Sequence, residues 1–101
     1  MSRVVWTRPA RDDLREIRDH IAGDSPRYAH VVTSELVDAV GRLRTYPLSG
    51  RIVPELGRPT LREVIHGNYR IVYRVASAVV EVLAVVHAAR EFPARELRQR
   101  K

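Results

Sequence analysis

The sequence predicts one α+β domain: a strand, an α-helical hairpin, then a three-stranded antiparallel meander, with the helices packed on one face of the sheet. Three observations predict it. The apolar period changes from strand-like to helical at Pro9 and returns to strand-like at Leu61. Two helical stripes are separated by only a few residues around Gly23 and Pro26. The chain has 101 residues, of which 45% are hydrophobic, which suits one core and no second domain.

Each element has a local reason. Val4, Val5 and Trp6 favour a strand, and Pro9 stops it. Ala10, Leu14, Ile17 and Ile21 then fall on one helical face. Pro9 sits in the first turn, where its missing N–H costs nothing, and Asp12 and Asp13 lie near the positive end of the helix dipole. Gly23 is a natural stop. Ser25 is a natural N-cap for a second helix that opens with Pro26 and carries Ala29, Val32, Leu36, Ala39 or Val40, and Leu43 on one stripe. That stripe runs to about Tyr46, and Pro47 ends it.

Pro47, Gly50, Pro54, Gly57 and Pro59 predict a loop with at most a short irregular strand. Three strands follow, from Leu61 to His66, Tyr69 to Ala76 and Val79 to His87. Gly67-Asn68 and Ser77-Ala78 are their tight turns. The last strand is almost wholly apolar, as a central covered strand would be. The helices are expected to leave the other sheet face open. Residues 1–92 form the predicted domain, and residues 93–101 a basic C-terminal tail, either a short helix or a segment ordered by a partner.

Composition excludes several classes. There is no cysteine, hence no disulfide framework, thiolate metal site or cysteine nucleophile. No signal-peptide pattern or membrane-length apolar run is visible, so a cytoplasmic protein without membrane contact is expected. The four histidines make no metal spacing, and no phosphate loop or serine elbow occurs. No cofactor is expected. The formal net charge is +6, which favours an acidic partner such as nucleic acid, the ribosome or an acidic protein. All basic residues but Lys101 are arginine, a skew that can reflect genome composition.

The most distinctive segment is Tyr69-Arg70-Ile71-Val72-Tyr73-Arg74-Val75. Alternation puts Arg70 and Arg74 on one face, where forked guanidinium groups can meet a polyanion. The competing reading is a surface where these arginines pair with Glu63 or Glu81. His87 and Arg90 follow the last strand, and a histidine there can serve as a proton donor or simply cap nearby backbone.

Arg8-Pro9-Ala10-Arg11-Asp12-Asp13-Leu14, the Tyr69–Val75 segment and Val85-Val86-His87 together resemble the RelE/ParE toxin superfamily over roughly residues 3–92. The resemblance implies a type II toxin, neutralised in a hetero-oligomer by a cognate antitoxin whose extended or helical C-terminal segment wraps it. It also implies one of two activities. A RelE-like member cuts messenger RNA on the ribosome. Arg70 would then contact phosphate, His87 would act as general acid, and Arg90 would stabilise the transition state. A ParE-like member inhibits DNA gyrase by binding, without chemistry. The resemblance then leaves Arg70, Arg74, Arg90, Arg95 and Arg98 as contacts for target or antitoxin.

Many nuclease members carry a tyrosine near the C-terminus. Here the tyrosines are Tyr28, Tyr46, Tyr69 and Tyr73, and Phe92 cannot exchange a proton. The loop before the sheet has Arg51 and Arg58 but no lysine cluster. The sequence therefore favours gyrase inhibition, with mRNA cleavage as the alternative. A non-toxic nucleic-acid-binding module is a third class, but the chain lacks an array of exposed stacking aromatics.

Overall fold

A computed structural model of the chain describes residues 1–99. Strand β1 (Arg3–Trp6) leads into helix α1 (Arg8–Ala22), then α2 (Pro26–Gly41) and a short 3-10 turn (Arg42–Arg44). Strands β2 (Arg51–Ile52), β3 (Leu61–His66), β4 (Tyr69–Ala76) and β5 (Val79–His87) follow, and α3 (Ala94–Gln99) ends the described chain. The α+β class and the meander are as the sequence predicts.

The five strands lie in the order β1-β5-β4-β3-β2. The meander is antiparallel, but β1 joins it parallel to β5, with Val4 opposite Val80 and Trp6 opposite Val82. The first and last strands are thus neighbours, and β5 becomes an interior strand, flanked by β1 and β4. This explains its continuous apolar run, Val82 to Val86, all buried.

Helix starts follow the expected chemistry. The Thr7 hydroxyl accepts from the Ala10 N–H, and the Ser25 hydroxyl accepts from the Tyr28 N–H at 3.1 Å. Three local details differ. Gly23 caps α1 with φ −58°, a right-handed conformation that needs no glycine. Asp12 and Asp13 fall beyond the first turn, because α1 already starts at Arg8. Asp13 instead reaches the sheet, where its Oδ2 accepts from the Val85 N–H at 3.0 Å. The second helix ends at Gly41, and the tighter turn Arg42–Arg44 carries the stripe on to buried Leu43.

Both faces of the sheet carry a core. Under the helices, Ala10, Leu36, Ala39 and Val40 pack on Ile71, Val82 and Val85. On the opposite face, Val53 and Leu97 pack on Leu61, Val72, Leu83, Ala84 and Val86, with Leu56 and Phe92 at the margin. The second face is therefore partly covered rather than open. The reason is Leu97, which projects from α3 and is only 1% exposed. Of the predicted basic tail, α3 is helical, while Arg100 and Lys101 lie outside the described residues.

A bulge serves both cores. Val72 pairs with Ala84 and Tyr73 with Val82, so Leu83 is an extra residue in β5. Leu83 and Ala84 consequently both meet the second core, while Val82 and Val85 both meet the first. No helix among the described residues is long and apolar enough to cross a membrane.

Candidate functional site

Arg70 stands on the face turned away from α1 and α2, next to Val72 in the second core. Its Nε donates to Oε1 of Glu63. Its Nη1 and Nη2 donate to the two oxygens of Glu55 at 2.8 and 2.7 Å, a forked pairing. The second oxygen of Glu63 accepts from Arg51 Nε at 2.6 Å. The Phe92 ring lies over the guanidinium, 4.1 Å from its carbon. Glu63 is buried, and burying it is tolerable because both oxygens are taken by cations.

The electrostatics follow. The hydrogen bonds from Arg70 hold the Glu55 carboxyl down at about 2, against the opposing effect of its desolvation. The Glu55 hydrogen bond raises the Arg70 guanidinium further above its already high value. Arg74 makes its own pair, with Nε 3.0 Å from Glu81 Oε1 directly across the ladder. The ion-pairing reading of Arg70 and Arg74 is thus what the side chains adopt, with Glu55 added.

His87 lies on the other face. It pairs with Tyr69, and the two rings meet edge to face at 5.2 Å. Tyr69 packs on the core beneath the helices, and its burial raises its phenol pKa, with Tyr28 adding to the shift. His87 Nδ1 accepts from the Ala89 N–H at 3.0 Å, so this nitrogen is the unprotonated one in that arrangement. With Asp13, Glu16, Ile17, His20 and Arg90 it lines a cleft of about 280 Å³ against α1.

Arg90, Arg95 and Arg98 border one shallow depression of about 730 Å³ around α3. Arg98 Nη2 donates to the Glu55 carbonyl at 3.1 Å, which ties α3 to the Arg70 corner. The structure therefore gathers Arg70, Arg90, Arg95 and Arg98 around the tail and sets Arg74 apart with Glu81. It places Arg70 and His87 on opposite faces. Glu55 went unnoticed in the sequence, and Phe92 was noticed only as a ring with no proton to exchange and not as the cover of Arg70, because neither sits in a periodic element. A charged Glu63 between Leu61 and Ile65 in an alternating strand is the one signal that pointed to the buried network.

A further groove of about 680 Å³ runs between α1 and α2. Trp6, Leu14 and Val37 supply apolar surface, and Arg11, Arg15, Arg18 and His30 supply positive or titratable groups, against Asp38. Arg11 Nη1 donates to the Trp6 carbonyl at 2.9 Å, and Arg15 makes only a loose 3.8 Å pair with Asp12. Among the described residues, no group of three or more His, Asp or Glu side chains could hold a metal ion.

The family model for the ParE toxin of the type II toxin–antitoxin system, parDE, matches residues 4–92. Toxin RelE2 of Caulobacter vibrioides is 42% identical over 91 residues, covering 89% of this chain and 99% of its own. The putative toxin Y4kP of Sinorhizobium fredii is 39% identical over 93 residues, covering 90% and 93%. Among solved structures, a chain of the chromosomal ParDE toxin–antitoxin system from P. aeruginosa superposes with TM-score 0.71 at 24% identity, covering 86% of this chain and 96% of that one. A chain of the RelBE2 toxin–antitoxin complex from Mycobacterium tuberculosis superposes with TM-score 0.59 at 27% identity, covering 85% and 96%.

Proposed function

The chain belongs to the ParE toxin family of type II toxin–antitoxin systems, and from that membership we propose that it arrests growth by binding DNA gyrase, without catalysing a reaction. The observation that carries this reading is the state of Arg70. The guanidinium that a nuclease would offer to phosphate is held by two carboxylates and covered by Phe92. A phosphate would have to displace Glu55 and lift the aromatic ring. His87, the acid of that alternative, faces the other side of the sheet. Neither residue is then needed at a reacting atom, and a binding toxin needs none.

The cognate antitoxin is proposed to dock in the α1–α2 groove. An amphipathic segment would set its apolar side on Trp6, Leu14 and Val37 and its carboxylates against Arg11, Arg15 and Arg18. The relative solved as a toxin–antitoxin complex supports such a partner.

The deciding experiment adds the purified chain to a gyrase supercoiling assay and, in parallel, to translating ribosomes. Loss of supercoiling with intact message is the expected result. Codon-specific cleavage of ribosome-bound message with unaffected gyrase would replace this reading with the RelE-type nuclease.

A further inference from the structure

We propose that the loop of residues 46–52 is the surface that grips the toxin's protein target, inserting apolar side chains into an acidic-rimmed cleft. This rests on the reading that the toxin acts by binding. Tyr46 and Leu48 are 66% and 60% exposed, and Ile52 is 40% exposed. Three large apolar side chains thus face water within the seven residues that run from the loop into β2. Folding alone gives no reason to leave them there, and exposed apolar clusters mark interaction sites.

The loop is nevertheless rigidly seated. The Ser49 N–H donates to the Tyr46 carbonyl at 3.1 Å, closing a turn. The Tyr73 hydroxyl, at the end of a buried side chain, donates to the Pro47 carbonyl at 2.8 Å and accepts from the Gly50 N–H at 3.0 Å. Arg62 Nη1 donates to the Gly50 carbonyl at 3.0 Å, and Arg62 stands directly opposite Ile52 in the ladder. The backbone is fixed, while the apolar side chains point outward. That is the preorganised presentation of anchors that lowers the entropy cost of association.

Charge identifies the occupant. Residues 39–54 contain Arg42, Arg44 and Arg51 and no acidic residue. Arg51 already serves Glu63, which leaves Arg42 and Arg44 exposed beside Tyr46. The fitting partner is a protein with an apolar cleft edged by carboxylates. Single-stranded nucleic acid fits poorly, because only Tyr46 offers a stacking ring here. None of residues 42–52 lines the α1–α2 groove, so this surface is separate from the proposed antitoxin seat.

The test compares the wild-type chain with Tyr46→Ser/Leu48→Ser and with Val31→Ser, a control at an exposed apolar residue of α2. All three are expected to melt alike, because no buried contact is removed. Binding to purified gyrase is expected to weaken by about tenfold or more in the double variant and to stay unchanged in the control. Unchanged gyrase binding in the double variant overturns the proposal. So does a wild-type dimer in solution that the double variant converts to monomer, since the loop would then be a self-contact.

If the wild-type chain does not bind gyrase, the gyrase reading fails by itself, and growth arrest on induced expression decides for the loop. Arrest lost only in the double variant sustains the proposal for another protein target. Arrest retained there, or absent in the wild type, overturns it.

Discussion

Arg70 and His87 project from opposite faces of the same sheet, one against Phe92 and the second core, the other against Tyr69 and α1. They stand on adjacent strands only one residue out of register, since Arg70 pairs with Val86 and Tyr69 with His87. One step along a strand reverses the face, so closeness in the ladder does not bring the two groups to a common substrate. Substituting them should therefore have unrelated effects. Arg70→Met strips Glu63 of one cation and should lower stability by about 2–4 kcal/mol. His87→Ala removes an exposed ring and should stay within about 0.5 kcal/mol while keeping growth arrest. Urea melts and induced expression measure both. Equal loss of arrest at equal stability would instead tie the two residues to one reaction.

Glu55 makes stability depend on acid. Its folded-state pKa of about 2 lies below the ordinary 4.5. Its contribution is thus fully present above pH 4.5 and is lost as pH falls toward about 2. Because the carboxylate is partly exposed, the effect is modest. Glu55→Gln should be less stable than wild type at neutral pH, and the gap should close at the acid end of that window. A gap that is constant across the acid titration would show that the pairing does not govern it.

Gly50 is required by contact and not by an unusual backbone angle. A Cβ placed there would stand 2.5 Å from the Glu63 carbonyl oxygen and 2.6 Å from the Tyr73 hydroxyl. The first is strand backbone and cannot swing aside. Gly50→Ala should cost about 1–3 kcal/mol, as overpacking does. Tyr73→Phe in the same background should recover little of it, since the carbonyl clash persists. Thermal melts of the single and double variants check this.

Leu97 is the anchor of α3 on the second core. Leu97→Ala should cost about 2–5 kcal/mol, as truncation of a buried leucine does. Amide exchange should rise in Val72, Ala84 and Val86 beneath it more than in Ile71 or Val85 on the other face. Uniform acceleration across both faces would mean that α3 has no local role.

Much of the fold could be read from the sequence because its signals are local. The meander turns at Gly67-Asn68 and Ser77-Ala78, the cap Ser25, and the two helical stripes all act over a few residues. The parallel pairing of β1 with β5 could not be read, since nothing in Val4, Val5 or Trp6 names a partner far along the chain. The covering of the second face depended on Leu97, one apolar residue in a basic tail. At the candidate site, Glu63 and Glu81 were visible as pairing partners for the strand arginines. Glu55 was not, because a loop residue acquires its neighbours only when the loop folds.

The seam between β1 and β5 also sets an order of events in time. The ribosome makes β1 first, yet its ladder partners, Val79 to Val82, emerge only in the last quarter of the chain. Until then Val4 and Trp6 have no strand to join, and long-range pairing of this kind is slow to close. A translation product that stops before Val79 lacks β5, the interior strand on which both cores are built. Synthesis that stops before Val79 is therefore expected to yield no folded domain.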